Sequence, residues 1–494
     1  MNKTVLALLF SIIALLLLGM TSSCKKNIEV DSTGELTYST DTVFFDTVFT
    51  TIGSVTKTFK IYNPNNGVVK IDNIQLRGGS ASHFRIATDG DNGIAFSDVE
   101  ILPGDSLFLF AEVTVDPNDD FFPFIVEDFV DIQYNGKNES IYLAAFGQNA
   151  HFHGGPDALT TVGCNEVWNN DLPHVVYGVL EVEPGCQLTI NPGTQVYMHK
   201  GAGILINEGE LHVQGELGNE VVFQGDRLDA DYTDLPGQWG TEIDFQITSN
   251  QGPDIYTLSR GGIWIYQSTG SSIDYAILKN GNTGIQVDTT GTNNFALTIT
   301  NTKIDNMAGV GLWGQGAHIK GRNLLITNCA EGCAYFSIGG KYEMDNCTFA
   351  NYWSGSTRTA PTVALNNYYK DVNQVIQVRP VYNTIFTNCI MYGNSADLND
   401  FNELVVDLEY PELQDYMFRY CLIDYDGATS DVAHWDNNIN QQVPDFCDAN
   451  DGNFKINQNS TRMMGGPFGG GLTDILQQET GSWKGCYDYT GSCD

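Results

Sequence analysis

Three stretches of this chain can be laid over one another on an asparagine: Leu278, Asn280, Gly284, Ile285 and Val287; Ile304, Asn306, Gly309, Val310 and Leu312; Ile326, Asn328, Gly332, Cys333 and Tyr335. The period is 26 residues from Asn280 to Asn306 and 22 from Asn306 to Asn328. A unit this short cannot bury its own apolar side. Repetition in the twenties therefore implies a solenoid in which each coil covers its neighbours.

Side chains alternate along a strand, so the first and third residues of Ile285-Gln286-Val287, Val310-Gly311-Leu312 and Cys333-Ala334-Tyr335 are expected to face inward and to stack in parallel. The asparagines sit where the chain must turn, because Asn tolerates left-handed dihedrals and its amide can bond along a column of equivalents. A leucine-rich repeat would need a denser Leu pattern and a helix or its equivalent in each unit. The phrase fits a right-handed parallel β-helix. Cys347, Cys389 and Cys421 continue the phase and are expected to form an inward stack of free thiols.

The first β-helix coils are read in VLEVEPGCQLTINPGTQVYMHKGAGILINEGELHVQGELGNEVVFQGD. Upstream, residues 36–150 carry brief alternating runs bounded by Gly, Asn, Pro and Asp, such as FKIYNPNN and DSLFLFAEVTVDP. About seven strands in about 110 residues predict a β-sandwich. The fold class is thus all-β, a sandwich followed by a parallel β-helix over 178–480. A connecting segment spans 151–177 and a tail spans 481–494.

The N-terminus has Lys3, an apolar run from Val5 to Leu18, and Thr21, Ser22 and Ser23 before Cys24. Residues 1–23 read as a lipoprotein signal peptide that leaves Cys24 lipidated, with 24–35 as a tether. The expected location is the cell envelope, on the outer membrane and held there by lipid. A balance of 24 Lys+Arg against 60 Asp+Glu, net −36, repels phosphate backbones and argues against a nucleic-acid partner. Setting Cys24 aside leaves ten of the 11 cysteines, an even number in a compartment that permits disulfides. Cys486–Cys493 and Cys164–Cys186 are the expected pairs.

The segments TDTVFFDTVFTTIGS, LTINPGTQVYMHKGAGI, VVFQGDRLDADYTDLPGQW and CTFANYWSGSTRTAPTVALNNYY resemble a group of right-handed β-helix lipoproteins of Bacteroidota, along nearly the whole mature chain. The sandwich also resembles the immunoglobulin-like domains of bacterial surface proteins. These resemblances imply a fold and a compartment and name no chemistry. Related chains tend to close on a Gly-Ala-Tyr-Glu phrase, from which Gly485-Cys486-Tyr487-Asp488 departs by a cysteine.

Two clusters are candidate sites. Asp226, Asp229, Asp231 and Asp234 crowd an interruption between coils, where carboxylates would hold Ca²⁺ and Arg227 would neutralise an anionic sugar; Trp239 closes that stretch. Tyr352, Trp353 and Arg358, with Tyr368, lie in a second interruption and suit sugar stacking and hydrogen bonding. Trp264 and Trp313, one per coil, would extend an aromatic stripe. Asp89 and Asp91 loosely resemble a Ca²⁺ loop, and His151 and His153 have the i, i+2 spacing of a metal pair on one strand face. Galacturonase-type motifs do not occur in order in the helical region. The preferred function is therefore a lipid-anchored binding or structural scaffold for a polysaccharide or envelope protein, without catalysis. The alternative is a polysaccharide lyase or glycoside hydrolase.

Overall fold

The computed structural model describes residues 30–118, 123–249, 252–268, 270–288, 294–371, 373–394, 402–457, 460, 463, 465–466, 473–478, 484–487 and 493. Cys24, the expected signal peptide and the first residues of the tether lie outside the described residues. Among those described, no helix is long and apolar enough to cross a membrane. The chain divides into two compact units, one running through Gln148 and one from Asn149.

The first unit is a sandwich of two five-stranded sheets. In one, Lys57–Tyr62 and Phe84–Thr88 flank Ser106–Val113; in the other, Phe124–Tyr134 and Lys137–Gln148 form a long hairpin beside Val69–Leu76. Strict alternation along Ser106–Val113 sends Leu107, Leu109, Ala111 and Val113 inward. They meet Phe45, Phe59, Phe84 and Tyr134 in one apolar core. Tyr134 is buried and keeps its hydroxyl satisfied, accepting from the Leu36 amide and donating to Glu139. Asp89 and Gly90 are both left-handed and form the two-residue turn between Phe84–Thr88 and Asp91–Gly93. Asp89 is thus placed by hairpin geometry.

The second unit is a parallel β-helix with three strands in each regular coil. One coil is Ile263–Tyr266, Ser271–Asp274 and Ala276–Lys279; the next is Ile285–Asp288, Leu297–Thr300 and Lys303–Asp305; the third is Val310–Gln315, His318–Arg322 and Leu325–Thr327. We call these three walls the first, second and third faces. The ladder starts at His151–Thr161, so 151–177 forms coil and not a connector. Among the described residues its last strand is Ile439–Asn440, well before residue 480. The chain beyond packs on the outer side of the third face: Phe454, Ile475 and Tyr487 against Leu325 and Ala350, and Ile456 and Met463 against Ile390 and Leu422.

The interior is continuous, and its second face carries a column of rings. Phe386 stacks on Phe418 at 4.6 Å and Phe418 on Trp435 at 4.9 Å, each nearly parallel to the next. These rings are one coil apart in register, so strand spacing sets their separation.

The expected register of the opening phrase needs correction by position within one sheet. All three strands do lie in the same parallel sheet, but Ile285 pairs with Leu312 and Leu312 with Ala334. The equivalent of Gly284 is Gly311, not Gly309. A Cβ on Gly284 would lie 2.6 Å from the Gly311 carbonyl oxygen, and one on Gly311 would lie 2.7 Å from that of Cys333. That close approach selects glycine and marks the true alignment. Ala334 and Phe336 therefore fill the interior, and Tyr335 points outward next to Trp313.

Asn280, Asn306 and Asn328 are left-handed, and Asn306 donates its amide to Asn280 Oδ1 at 2.8 Å. A longer column runs along the corner between the second and third faces. Tyr275, Asn301, Asn323, Asn346, Asn388, Tyr420 and Asn437 all have φ between 46° and 55°. Immediately after three of these stand Cys347, Cys389 and Cys421, buried and free. Each thiol donates to the carbonyl two residues earlier, and burial holds the Cys389 and Cys421 thiols protonated.

Cys164 is bonded to Cys186. Cys493 is bonded to Cys447 and not to Cys486, which is a correction to the expected local pair. Cys486 lies buried against the third face, its amide donating to Thr348 Oγ1 at 3.0 Å, and is committed there as a packed thiol.

Candidate functional site

The acidic interruption does not assemble as a cation cage. Asp226 accepts from His199 Nδ1 at 2.6 Å, and this hydrogen bond raises the His199 pKa against its partial burial. Asp229 is gripped by Arg227 through Nε at 3.1 Å and Nη2 at 2.9 Å, and the guanidinium lies over the Tyr232 ring. Asp231 and Asp234 are exposed. Among the described residues, none of these four carboxylates belongs to a cluster of three metal-ligating groups. Arg227 is thus occupied by Asp229 and Tyr232. Trp239 is core: it is fully buried, its indole donates to the Lys279 carbonyl at 2.8 Å, and its ring lies against the backbones of Gly262 and Gly281.

The second interruption is also largely structural. Arg358 is 2% exposed and makes a two-pronged ion pair with Glu403, Nη2 to Oε1 at 2.6 Å and Nη1 to Oε2 at 2.8 Å. Thr362 donates to the same carboxylate from its hydroxyl and its amide. Tyr352 packs on Phe446 and Phe454, Trp353 donates to Ser356, and the Tyr368 hydroxyl donates to Asp407. These residues serve the fold of the interruptions, and Arg358 has no face for a sugar.

What the structure does assemble is a row on the outer side of the first face. The ladder places Trp264, Gln286, Trp313 and Tyr335 at one position on four successive coils. Two residues further along the strands, Tyr266, Asp288, Gln315 and Ser337 make a parallel row. Trp264, Gln286 and Asp288 are buried: the indole donates to Asp288 Oδ2 at 2.6 Å and Gln286 Nε2 to the same carboxylate. Trp313, Gln315, Tyr335 and Ser337 are half-buried. The Trp313 indole nitrogen has no acceptor among the described residues. The aromatic stripe expected from Trp264 and Trp313 thus has a third ring, Tyr335, which faces outward and not inward as its place in the repeat suggests.

Burial raises the Asp288 pKa to about 6, against the opposing hydrogen bonds from Trp264 and Gln286. The folded protein therefore holds a proton that the unfolded chain releases near the ordinary aspartate value of 3.8. Stability from this group is full below that value and is lost as pH rises through about 6. Asp288→Asn should raise the unfolding free energy over wild type by about 3 kcal/mol at pH 8, with the difference vanishing toward pH 4. Thermal unfolding of the pair across that range measures it, and a pH-independent difference would contradict the assignment.

Among the described residues one group of three could ligate a metal: His151, Asp171 and His174. His153 Nε2 and His174 Nδ1 are 2.8 Å apart, and His174 Nε2 lies 3.0 Å from the Asn169 carbonyl. Burial lowers the pKa of both His153 and His174 to about 4, opposed by Glu166 at the first and by the Asn169 carbonyl at the second.

The family model described as a right handed beta helix region matches residues 261–405, the stretch that contains both outer rows, from Trp264 to Ser337. Among solved structures the chain is similar to a family 123 glycoside hydrolase from Clostridium perfringens, with 9% identity over 26% of this chain and 26% of that chain and a TM-score of 0.18. An ASH / PapD-like domain of human CEP192 shows 10% identity over 26% of this chain and 94% of the domain, TM-score 0.16. Dex49A from Penicillium minioluteum shows 10% identity over 78% of this chain and 81% of that chain, TM-score 0.19. No curated protein sequence matches.

Proposed function

We propose that this chain is a cell-envelope protein, lipid-anchored through Cys24, whose β-helix binds a glycan along the outer rows of the first face. The observation that carries the reading is the run Trp313 and Tyr335 beside Gln315 and Ser337, on rungs about 4.8 Å apart. Rings offer apolar sugar faces a stacking surface, and amide and hydroxyl neighbours supply hydrogen bonds at their edges. Trp264, Gln286 and Asp288, closed on one another, brace the platform from the adjoining coils.

Binding is favoured over hydrolysis by the spacing of carboxylates on the row. Asp288 is followed by Gln315, Ser337 and Asn366, and the next carboxylate, Asp407, stands four coils away. Four rungs span about 19 Å, whereas paired glycosidase carboxylates stand about 5 to 9.5 Å apart. The raised pKa of Asp288 is the one feature that favours a catalytic reading, as a general acid.

A glycan array probed with the chain lacking its N-terminal apolar run tests the proposal. Trp313→Ala and Tyr335→Ala should each weaken the selected glycan about tenfold or more, as central aromatic anchors do, with thermal stability retained. Loss of stability without loss of affinity would reject the platform. Release of shortened or unsaturated sugars, abolished by Asp288→Asn, would establish the catalytic alternative.

A further inference from the structure

At the start of the ladder three histidines and two carboxylates gather on the first two coils. His151 pairs with His174 in register and His153 with Val176, so the two strands present His151, His153 and His174 together. Asp171 comes from the turn just before the second strand, and its carboxylate meets His151 Nε2 at 3.0 Å. One ligand atom each from His151, Asp171 and His174 lie within 4.8 Å of one another. Behind them the rings of Trp168, His153 and His174 are stacked, with centroids 4.3 to 5.0 Å apart. The Trp168 indole is itself fixed by Glu166 at 2.7 Å. His174 is buried, whereas His151 and Asp171 keep 41% and 48% of their side-chain surface open to solvent.

We infer that His151, Asp171 and His174 form a binding site for a divalent transition-metal ion of the Zn²⁺ class, which would fasten the terminal coil to the one that follows. Two imidazoles and one carboxylate are a donor set suited to that class, and they leave a coordination position open toward solvent. His153 is a positioning residue in this arrangement. Here the Asn169 carbonyl accepts from His174 Nε2, which leaves His174 Nδ1 to accept from His153 Nε2; metal binding at His174 Nε2 calls for the other tautomer, with the proton on His174 Nδ1 donated to His153 Nε2 and the imidazole still lying against the Trp168 ring. A ligating imidazole whose other nitrogen is held by a fixed partner is the arrangement that tunes metal affinity. The ligands come from two coils, so binding favours the stacked state over one in which the terminal coil frays.

The test uses the whole chain from residue 25 onward, stripped with EDTA and titrated with ZnCl2 by calorimetry, with Co²⁺ as a spectroscopic probe. A single equivalent should bind, the unfolding temperature should rise with excess Zn²⁺, and the Co²⁺ spectrum should lack thiolate charge transfer, which separates this site from the buried cysteines. His151→Gln and Asp171→Asn, both at half-open positions, should each lower affinity by at least about 100-fold, more than loss of a group that only orients a ligand, and remove the rise in unfolding temperature. His199→Gln, which alters the separate pair with Asp226, should leave both unchanged. Absence of Zn²⁺ binding by the wild type, binding indifferent to both His151→Gln and Asp171→Asn, or equal loss in His199→Gln would each overturn the assignment.

Discussion

Arg358→Ala should lower the unfolding free energy by about 3 to 5 kcal/mol, because it leaves the Glu403 carboxylate buried without its counter-charge. Both side chains are 2% exposed and the pair is two-pronged, so water cannot replace the guanidinium. Thr362 would still donate to the carboxylate but brings no counter-charge. The cost lies in the orphaned carboxylate more than in the lost attraction. A double variant with apolar residues of similar volume, Arg358→Met with Glu403→Leu, should therefore recover most of the loss. Denaturant midpoints of wild type, single and double variants decide it. A single variant within 1 kcal/mol of wild type would mean that the pair is hydrated in solution.

Trp239→Ala should cost a similar about 3 to 5 kcal/mol, by a different mechanism. The ring occupies a slot whose floor is backbone: a Cβ on Gly262 would lie 2.3 Å from it and one on Gly281 2.8 Å. Main chain on neighbouring rungs cannot collapse into the space a truncated side chain leaves. The Asn282 amide also donates to the Trp239 carbonyl, which fixes where the interruption rejoins the coil. Trp239→Phe should keep most of the filling while losing the hydrogen bond to Lys279, so it should fall between wild type and alanine. Equal stabilities for the phenylalanine and alanine variants would show that filling the slot is not the source of the effect.

The coil was legible in the sequence because period and left-handed corners are local. Asn280, Asn306 and Asn328 could be read from spacing alone and hold the dihedrals expected of them. The column from Asn301 to Asn388 was as visible in composition but was hidden by Tyr275 and Tyr420, which break its chemical identity while keeping its geometry. Register was less legible. Gly309-Val310-Gly311 offers two glycines, and only the approach of the Cys333 carbonyl says which is the rung. The fates of Arg358 and Trp239 depended on partners 45 and 40 residues away, a carboxylate and a carbonyl that no local pattern announces. His174 is illegible for the same reason: it joins His151 and His153 only through the ladder pairing of the first two coils, 23 residues apart in sequence at His151 and His174.

The corner from Tyr275 to Asn437 has a consequence for how such a chain can change. Only one or two residues separate the second-face strand from the third-face strand there, from Asp274–Ala276 through Arg419–Leu422. The long interruptions, 226–262, 352–362, 367–380 and 394–403, all fall at the other two corners. One edge of the prism thus acts as a binding and the other two as open margins where text can be added. A foreign segment spliced between Tyr352 and Thr362 would leave the stacking phase untouched. A single residue added between Asn346 and Cys347 would turn the following strand inside out, because sidedness repeats every two residues. Lineages of this architecture should therefore diversify in length along two edges and hold the third to a fixed count.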